Sequence, residues 1–327
     1  MKKETEKLMK KEFGDVFLDP NDIVVRDKTI IPTSPKLDIQ LSGGIPEGSI
    51  VLISGKPSLG KSSLALQICA NAQKEEFGSR HCYYLDIESR LEKRNLTGIK
   101  DLNLDMMTVI KSTPGNYLYG EKVLNIADRI IKSEPGTVLV LDSSSTLCSE
   151  AEFNSDVSAT SRNQGPKLLA SFTRKLANVI PIQNTIVIII QHIIANTSGF
   201  GAPSYEDGGV KIVHASNVKI KGRGFKKWEE GGKAIGQIID WTVDRSALGP
   251  PNGSTESYLR FGTGIDSVWE IIDLACDLGL IMKGGAWYEL TFLDEPKKMQ
   301  GQKKVWEHLT ENKDDYNKLN SMIKELM

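Results

Sequence analysis

Long apolar runs are missing from this 327-residue chain. No stretch approaches the roughly 18 residues that a membrane-crossing helix requires. The opening, MKKETEKLMKKEFG, carries charge but no apolar centre, so neither a membrane span nor a secretory leader is expected. Cysteine is scarce: Cys69, Cys82, Cys148 and Cys276 show neither CxxC nor metal-ligand spacing. Three of them stand in apolar runs, where a thiol behaves as a small hydrophobe, a usage that fits a reduced, cytoplasmic setting. Excess charge is missing too, since 41 Lys and Arg against 42 Asp and Glu leave a net charge of -1. A protein that coats nucleic acid by bulk charge would be basic, so any such contact here must come from local loops. Internal repeats and low-complexity tracts are also absent. What remains is a chain of ordinary globular composition, long enough for one large domain with small appendages.

Residues 2–12, rich in Lys and Glu, read as a short solvated helix ending at Gly14. Residues 15–35, punctuated by Pro20, Pro32 and Pro35, read as an extended arm. From Lys36 the pattern changes. Four β-rich apolar runs, 50–54, 82–86, 137–142 and 185–191, are nearly continuous, as strands buried on both faces of a parallel sheet should be. Helical stretches at 61–76, 119–133 and 166–180 separate them, which predicts a doubly wound α/β core. Two long polar segments, 148–165 and 193–210, each follow the carboxyl end of a strand, the edge where ligands bind in open α/β sheets. After Gly264 a helix over 268–280, the turn and strand GGAWYEL and a helix over 305–327 predict a small terminal domain.

The segment Gly55-Lys56-Pro57-Ser58-Leu59-Gly60-Lys61-Ser62 fits G-x-x-x-x-G-K-[ST], follows the strand IVLIS and opens a helix with Ser63. Its backbone N–H groups can converge on phosphate oxygens at a helix N-terminus. Lys61 is placed to reach the β and γ phosphates of ATP, and the Ser62 hydroxyl to hold Mg²⁺. Asp142 ends the run VLVLD, where a carboxylate orients the metal and its waters. Glu88, after the strand CYYLD, is a candidate general base; Asp86, two residues earlier, competes for the role, and spacing ranks Glu88 first only weakly.

Taken in order, GGIPEGSIVLISGKPSLGKSSLALQ, YLDIES, VLVLDSSSTL, TRKLANVIPIQNTIVIIIQH, GFGAPSYEDGGVKIVHAS and FGTGIDSVWEIIDLACDLGLIMKGGAWYEL resemble successive segments of the RecA family of recombinases. The phosphate loop is common to many ATPases; GFG…GG and GAWY in this order are far more specific. The resemblance implies an α/β, RecA-like P-loop ATPase core with a mostly parallel central sheet, a short N-terminal oligomerisation arm and a small α/β C-terminal domain. It implies a division into 1–33, 34–265 and 266–327. Glu88 becomes the general base, and Glu92, Phe261 and Gly262 lie near the adenine. The first DNA loop is 150–165 and the second 193–210, with Gly199, Phe200, Gly201, Gly208 and Gly209. Lys167 and Arg174 fall where basic DNA contacts are placed. The implied activity is ATP-dependent filament formation on single-stranded DNA followed by pairing with double-stranded DNA. Partners are then DNA, further copies of the chain, and single-strand-binding and mediator proteins, with no membrane.

Three departures stand out. His192 occupies the place of the family's γ-phosphate-sensing glutamine, as in phage members of the UvsX type. Asp244 and Ser246 replace two lysines that act on the neighbour's ATP, leaving Arg245 as the nearby cation, either an arginine finger or an ion-pair partner of Asp244. The sequence reads SMIKELM at its end, so the acidic tail of bacterial members is not expected.

Independently of the resemblance, VKIKGRGFKKW alternates like a hairpin with Gly222 and Gly224 at its turn, a basic ribbon interleaved with Phe225 and Trp228 that suits phosphate tracking. Other readings are a DnaB-type hexameric helicase, disfavoured by the short segment before the core, an ATP-gated filament scaffold that hydrolyses little, and a signalling ATPase without a DNA role.

Overall fold

The computed structural model describes residues 2–14, 16, 27–156, 164–195, 204–206 and 210–326. Helix α1 (Lys2–Phe13) leaves Leu8, Met9 and Phe13 exposed, as expected of an element too short and too charged to bury a face alone. Strands β1 (Ile30–Ile31) and β2 (Ile45–Pro46) pair antiparallel on either side of α2 (Pro35–Leu41).

The core alternates strand and helix around the four predicted apolar runs, and adds a helix over 93–97 and a strand over 107–111 between the second run and the helix expected after it. Strand β3 (Ile50–Gly55) leads into α3 (Lys61–Ala72), β4 (Cys82–Asp86) into α4 (Lys93–Thr97), and β5 (Met107–Lys111) into α5 (Gly120–Ser133). Strand β6 (Val138–Asp142) precedes α6 (Glu150–Phe153), α7 (Gly165–Leu176) and α8 (Val179–Ile182). Strand β7 (Ile186–Ala195) is followed by β8 (Ser204–Glu206), α9 (Val210–Ala215) and the antiparallel run β9 (Val218–Glu230), β10 (Lys233–Arg245), β11 (Gly253–Arg260) and β12 (Gly264–Ile265). These strands form one sheet in the order β12-β11-β10-β9-β3-β7-β6-β4-β5, with β8 added against β7. The pairings from β9 across to β5 are all parallel.

Period-two alternation explains the two-sided burial. Val51, Ile53, Ile188 and Ile190 pack with Leu64 and Ile68 of α3 on one face. Leu52, Val187 and Ile189 pack with Val123, Leu169 and Phe172 of α5 and α7 on the other.

Several boundaries differ from the sequence expectation. The helix expected over 166–180 is divided into α7 and α8. The hairpin turn lies at Gly231–Gly232, both at positive φ, while Gly222 and Gly224 sit within a continuous 13-residue strand. Gly222 is there for space: a Cβ would come within 3.2 Å of both Leu59 and Trp241.

The terminal unit joins α10 (Ser267–Asp277) to the antiparallel strands β13 (Ile281–Gly284), β14 (Trp287–Leu290) and β15 (Lys297–Gln300). Helices α11 (Gln302–Glu311) and α12 (Lys313–Leu326) complete it; the single helix expected over 305–327 is broken at Asn312. Its core of Ile271, Ile272, Leu290, Val305 and Leu319 is separate from the other two. Among the described residues no helix is long and apolar enough to cross a membrane.

Candidate functional site

A cleft of about 530 Å³ opens at the carboxyl edge of the parallel strands. Its floor is the loop between β3 and α3. Gly60 takes positive φ at the start of α3, and a Cβ there would stand 2.7 Å from Ile239 Cδ1, so only glycine lets the loop lie this close to β10. Pro57 to Ser63 line the cleft, while Gly55 and Lys56 enter through their carbonyls.

Lys61 Nζ donates to Gly55 O at 2.9 Å and Lys56 O at 2.8 Å and lies 3.4 Å from His192 Nδ1. Burial lowers its pKa to about 8, against the opposing pull of Asp142 and Glu88. Ser62 Oγ donates to Asp142 Oδ2 at 2.6 Å, and the Tyr84 hydroxyl donates to the same oxygen. Burial raises the Asp142 carboxyl pKa, with the two hydroxyls working the other way. A hydroxyl and a carboxylate in contact, open to the cleft, are the hard oxygen donors that Mg²⁺ accepts, with phosphates and water completing its shell.

The structure separates the two acidic residues after β4. Asp86 is buried and accepts from the backbone N–H groups of Arg90 and Leu91 at 3.1 and 3.0 Å, so it fastens the following loop. Glu88 Oε1 accepts from Ser143 Oγ at 2.6 Å and faces His192 Nε2 at 2.7 Å, while Oε2 stands 3.2 Å from Arg90. Burial pushes the Glu88 carboxyl up, but the hydrogen bonds from Ser143 and His192 and the charge of Arg90 outweigh it and hold it below its usual value. His192 therefore bridges Glu88 and Lys61. The ammonium beside Nδ1 favours the tautomer with its proton on Nε2, donated to Glu88. Ser145 Oγ accepts from the His192 backbone N–H at 2.9 Å and fixes the end of β7.

At the far end Phe261 and Gly262 line the cleft with Leu91, Arg94 and Asn95. Glu92 is not brought to it. Its carboxylate turns to Arg94 Nε at 2.7 Å, and its backbone N–H is held by Asn95 at the start of α4, so its neighbours rather than Glu92 form the wall. Sequence reasoning passed over Tyr84, Arg90 and Arg260, which the fold brings to the cleft and for which no motif gave a signal.

Arg245 lies at the opposite edge of the sheet, paired in register with Lys219 near the start of β9. Its Nη1 donates to the carbonyls of Val213, His214 and Ser216 at 3.0, 3.2 and 2.7 Å, closing the end of α9. Asp244 pairs instead with Lys219 at 3.4 Å, so of the two alternatives for Arg245 the ion pair with Asp244 is not formed. Lys167 and Arg174 are both exposed, two turns apart on α7. Gly199, Phe200, Gly201, Gly208 and Gly209 lie outside the described residues.

The basic ribbon is less free than its sequence suggests. Lys226 pairs with Glu256 at 2.8 Å and Arg223 donates to Thr242 at 2.6 Å. Trp228 is 6% exposed and packs on Tyr258 and Trp269, so it serves the core; Phe225 stays exposed.

The sequence matches the profile of the RecA N-terminal domain over residues 3–266 and that of the RecA C-terminal domain over 269–327. Protein RecA of Ruminococcus albus is 30% identical over 284 residues, 86% of this chain and 69% of that protein. Protein RecA of Acholeplasma laidlawii is 31% identical over 290 residues, 88% of this chain and 84% of that one. Protein RecA of Sulfurimonas denitrificans is 31% identical over 310 residues, 92% and 86% of the two chains. With both domain profiles matched in order across almost the whole length, the chain belongs to the RecA family of ATP-dependent DNA recombinases.

Proposed function

We propose that this chain binds ATP with Mg²⁺ in the cleft, assembles as a helical filament on single-stranded DNA, and pairs that strand with homologous duplex DNA. The observation that carries the reading is the chain of contacts Lys61–His192–Glu88–Ser143, because His192 lies on the strand that runs directly into segment 196–209. Glu88, anionic and held on two sides, accepts the proton of the attacking water. Bound Mg²⁺ would supply charge neutralisation at the phosphates, held by Ser62 and, through water, Asp142. His192 Nε2–H has two acceptors to choose between, Glu88 and the γ-phosphate. Its choice ties nucleotide state to β7 and the loop beyond it.

In this reading residues 150–165 and 193–210 are the DNA loops. Phe200 and its flanking glycines lie near the DNA backbone or between bases, and Lys167 and Arg174 make phosphate contacts. Residues 1–33 pack on the next protomer, 34–265 form the ATPase core, and 266–327 gather duplex DNA. Arg245, far from its own cleft, serves the neighbour's ATP. Single-strand-binding and mediator proteins are the expected partners and the cytoplasm the place of action. His192 favours a phage-type member, although the relatives named above are bacterial.

One observation favours a filament that hydrolyses slowly: Arg245 Nη1 is already engaged by three carbonyls. The test is strand exchange between circular single-stranded DNA and a homologous linear duplex. Joint molecules that require ATP support the reading; filaments that form without any joint molecules would reduce the chain to a scaffold.

A further inference from the structure

The far end of the cleft carries a polar group that the hydrolytic machinery does not use. Gln237 stands on β10 directly opposite Leu259 of β11, and both line the cleft with Phe261 and Gly262. Its place along the cleft follows from its strand. Ile239, two residues on and on the same face, lies beneath Gly60 of the phosphate loop. Ile235, two residues back, accepts the Phe261 N–H through its carbonyl at 3.0 Å. The Gln237 carboxamide therefore sits between the phosphate loop and the Phe261 end.

Gln237 Oε1 is buried and accepts no hydrogen bond. A second buried carboxamide oxygen without a partner, Gln67 Oε1, lies behind the same wall, 3.4 Å from where a Cβ on Gly264 would stand. Arg260, the nearest cation on β11, satisfies neither. Its guanidinium lies over Trp228 and Trp306 and is tied to Asp266 at 2.7 Å. An unmade buried acceptor is costly, so Gln237, which lines the cleft, calls for a ligand that brings an N–H group.

The geometry points to Gln237 as the residue that selects the nucleotide's base, an inference that depends on the reading of the cleft as a nucleoside triphosphate site. With its side chain turned into the cleft, the Gln237 amide oxygen accepts from an exocyclic amino group and the amide nitrogen donates to the adjacent ring nitrogen, the paired contact a carboxamide makes with adenine. Guanine has a carbonyl oxygen at that place, which meets Oε1 acceptor to acceptor.

The test is calorimetric binding of two Mg²⁺-loaded diphosphates, ADP and purine riboside diphosphate, which lacks only the amino group, to the full-length protein. The wild type binds ADP about tenfold more tightly. Gln237→Leu binds both alike, at the weaker affinity. Gln237→Glu, which keeps an acceptor oxygen and the side-chain length, loses overall affinity but keeps the discrimination. Equal binding of both compounds by the wild type, or a tenfold preference surviving in Gln237→Leu, overturns the assignment of Gln237 while leaving the nucleotide site intact. If neither compound binds the wild type, the nucleotide reading fails and this assignment with it.

Discussion

Asp86 and Glu88 carry the same functional group two residues apart, and what divides them is their donors. Asp86 is spent on backbone N–H groups, and Glu88 is held by side chains that face the cleft. Glu88→Gln is therefore expected to bind ATP with little loss but to turn it over at least ~100-fold more slowly, measured by phosphate release beside equilibrium binding. Asp86→Asn weakens the loop anchor and should cost about 1–2 kcal/mol in a denaturant melt, with turnover affected far less. Lys61→Ala removes the cation at the β and γ phosphates and abolishes hydrolysis; wild-type turnover in that variant would remove the site assignment. The phosphate loop and Asp142 were legible because fixed spacing after apolar runs announces them; spacing alone left Glu88 and Asp86 in competition, and it is their hydrogen-bond partners that divide them. Glu92 was not legible, because whether a side chain faces a cleft or a neighbouring arginine depends on the torsions of the loop after Glu88 and not on spacing.

At the scale of elements, alternating apolar runs announced the strands, since burial on both faces demands a continuous apolar sequence. The hairpin β9–β10 shows the limit. A glycine pair between alternating residues reads as a turn, yet Gly222 is small because Leu59 and Trp241 leave it no room, and the chain continues to Gly231–Gly232. Gly222→Val is expected to displace Leu59 and with it the phosphate loop, weakening nucleotide binding at least ~10-fold by the core-overpacking argument while circular dichroism stays unchanged. Trp228 misled for a related reason: interleaved with five basic residues it reads as part of a phosphate-tracking ribbon, but long-range packing on Trp269 decides its place. Helix α7 offers a cleaner electrostatic test. Replacing both Lys167 and Arg174 with alanine should lower the slope of log affinity against log salt by about 1.4 for single-stranded DNA, read by fluorescence anisotropy over a salt series. An unchanged slope would place the strand elsewhere.

At the scale of the whole molecule, the terminal unit is joined to the core through charged groups that composition could not foretell. Asp266 caps α10 at Trp269 N, receives Trp306 Nε1 at 2.8 Å and holds Arg260, whose guanidinium lies between Trp228 and Trp306. Beside it, Glu270 is fully buried and Asp38 half-buried, and burial pushes the pKa of each carboxyl up to about 7. The Lys36 N–H opposes the shift at Glu270 and the Thr33 N–H at Asp38. Unfolded, both return to the ordinary range near 4. Between about pH 4 and 7 the folded chain holds protons that the unfolded chain has released, so stability falls as pH rises through that window and levels off above it. Glu270→Gln removes one such proton. Its stability relative to wild type should rise by roughly 2–3 kcal/mol between pH 5 and pH 8, followed by chemical denaturation at each pH. Parallel profiles for the two proteins would contradict the burial account of this joint.

All three scales meet in one claim, that nucleotide chemistry at Glu88 and His192 is coupled to DNA held beyond β7. ATP hydrolysis with and without single-stranded DNA at fixed salt, with electron micrographs of the same samples, tests it most directly. Strong stimulation by DNA in samples that show helical filaments is the predicted result. Equal turnover with and without DNA, or closed rings in place of filaments, would contradict it.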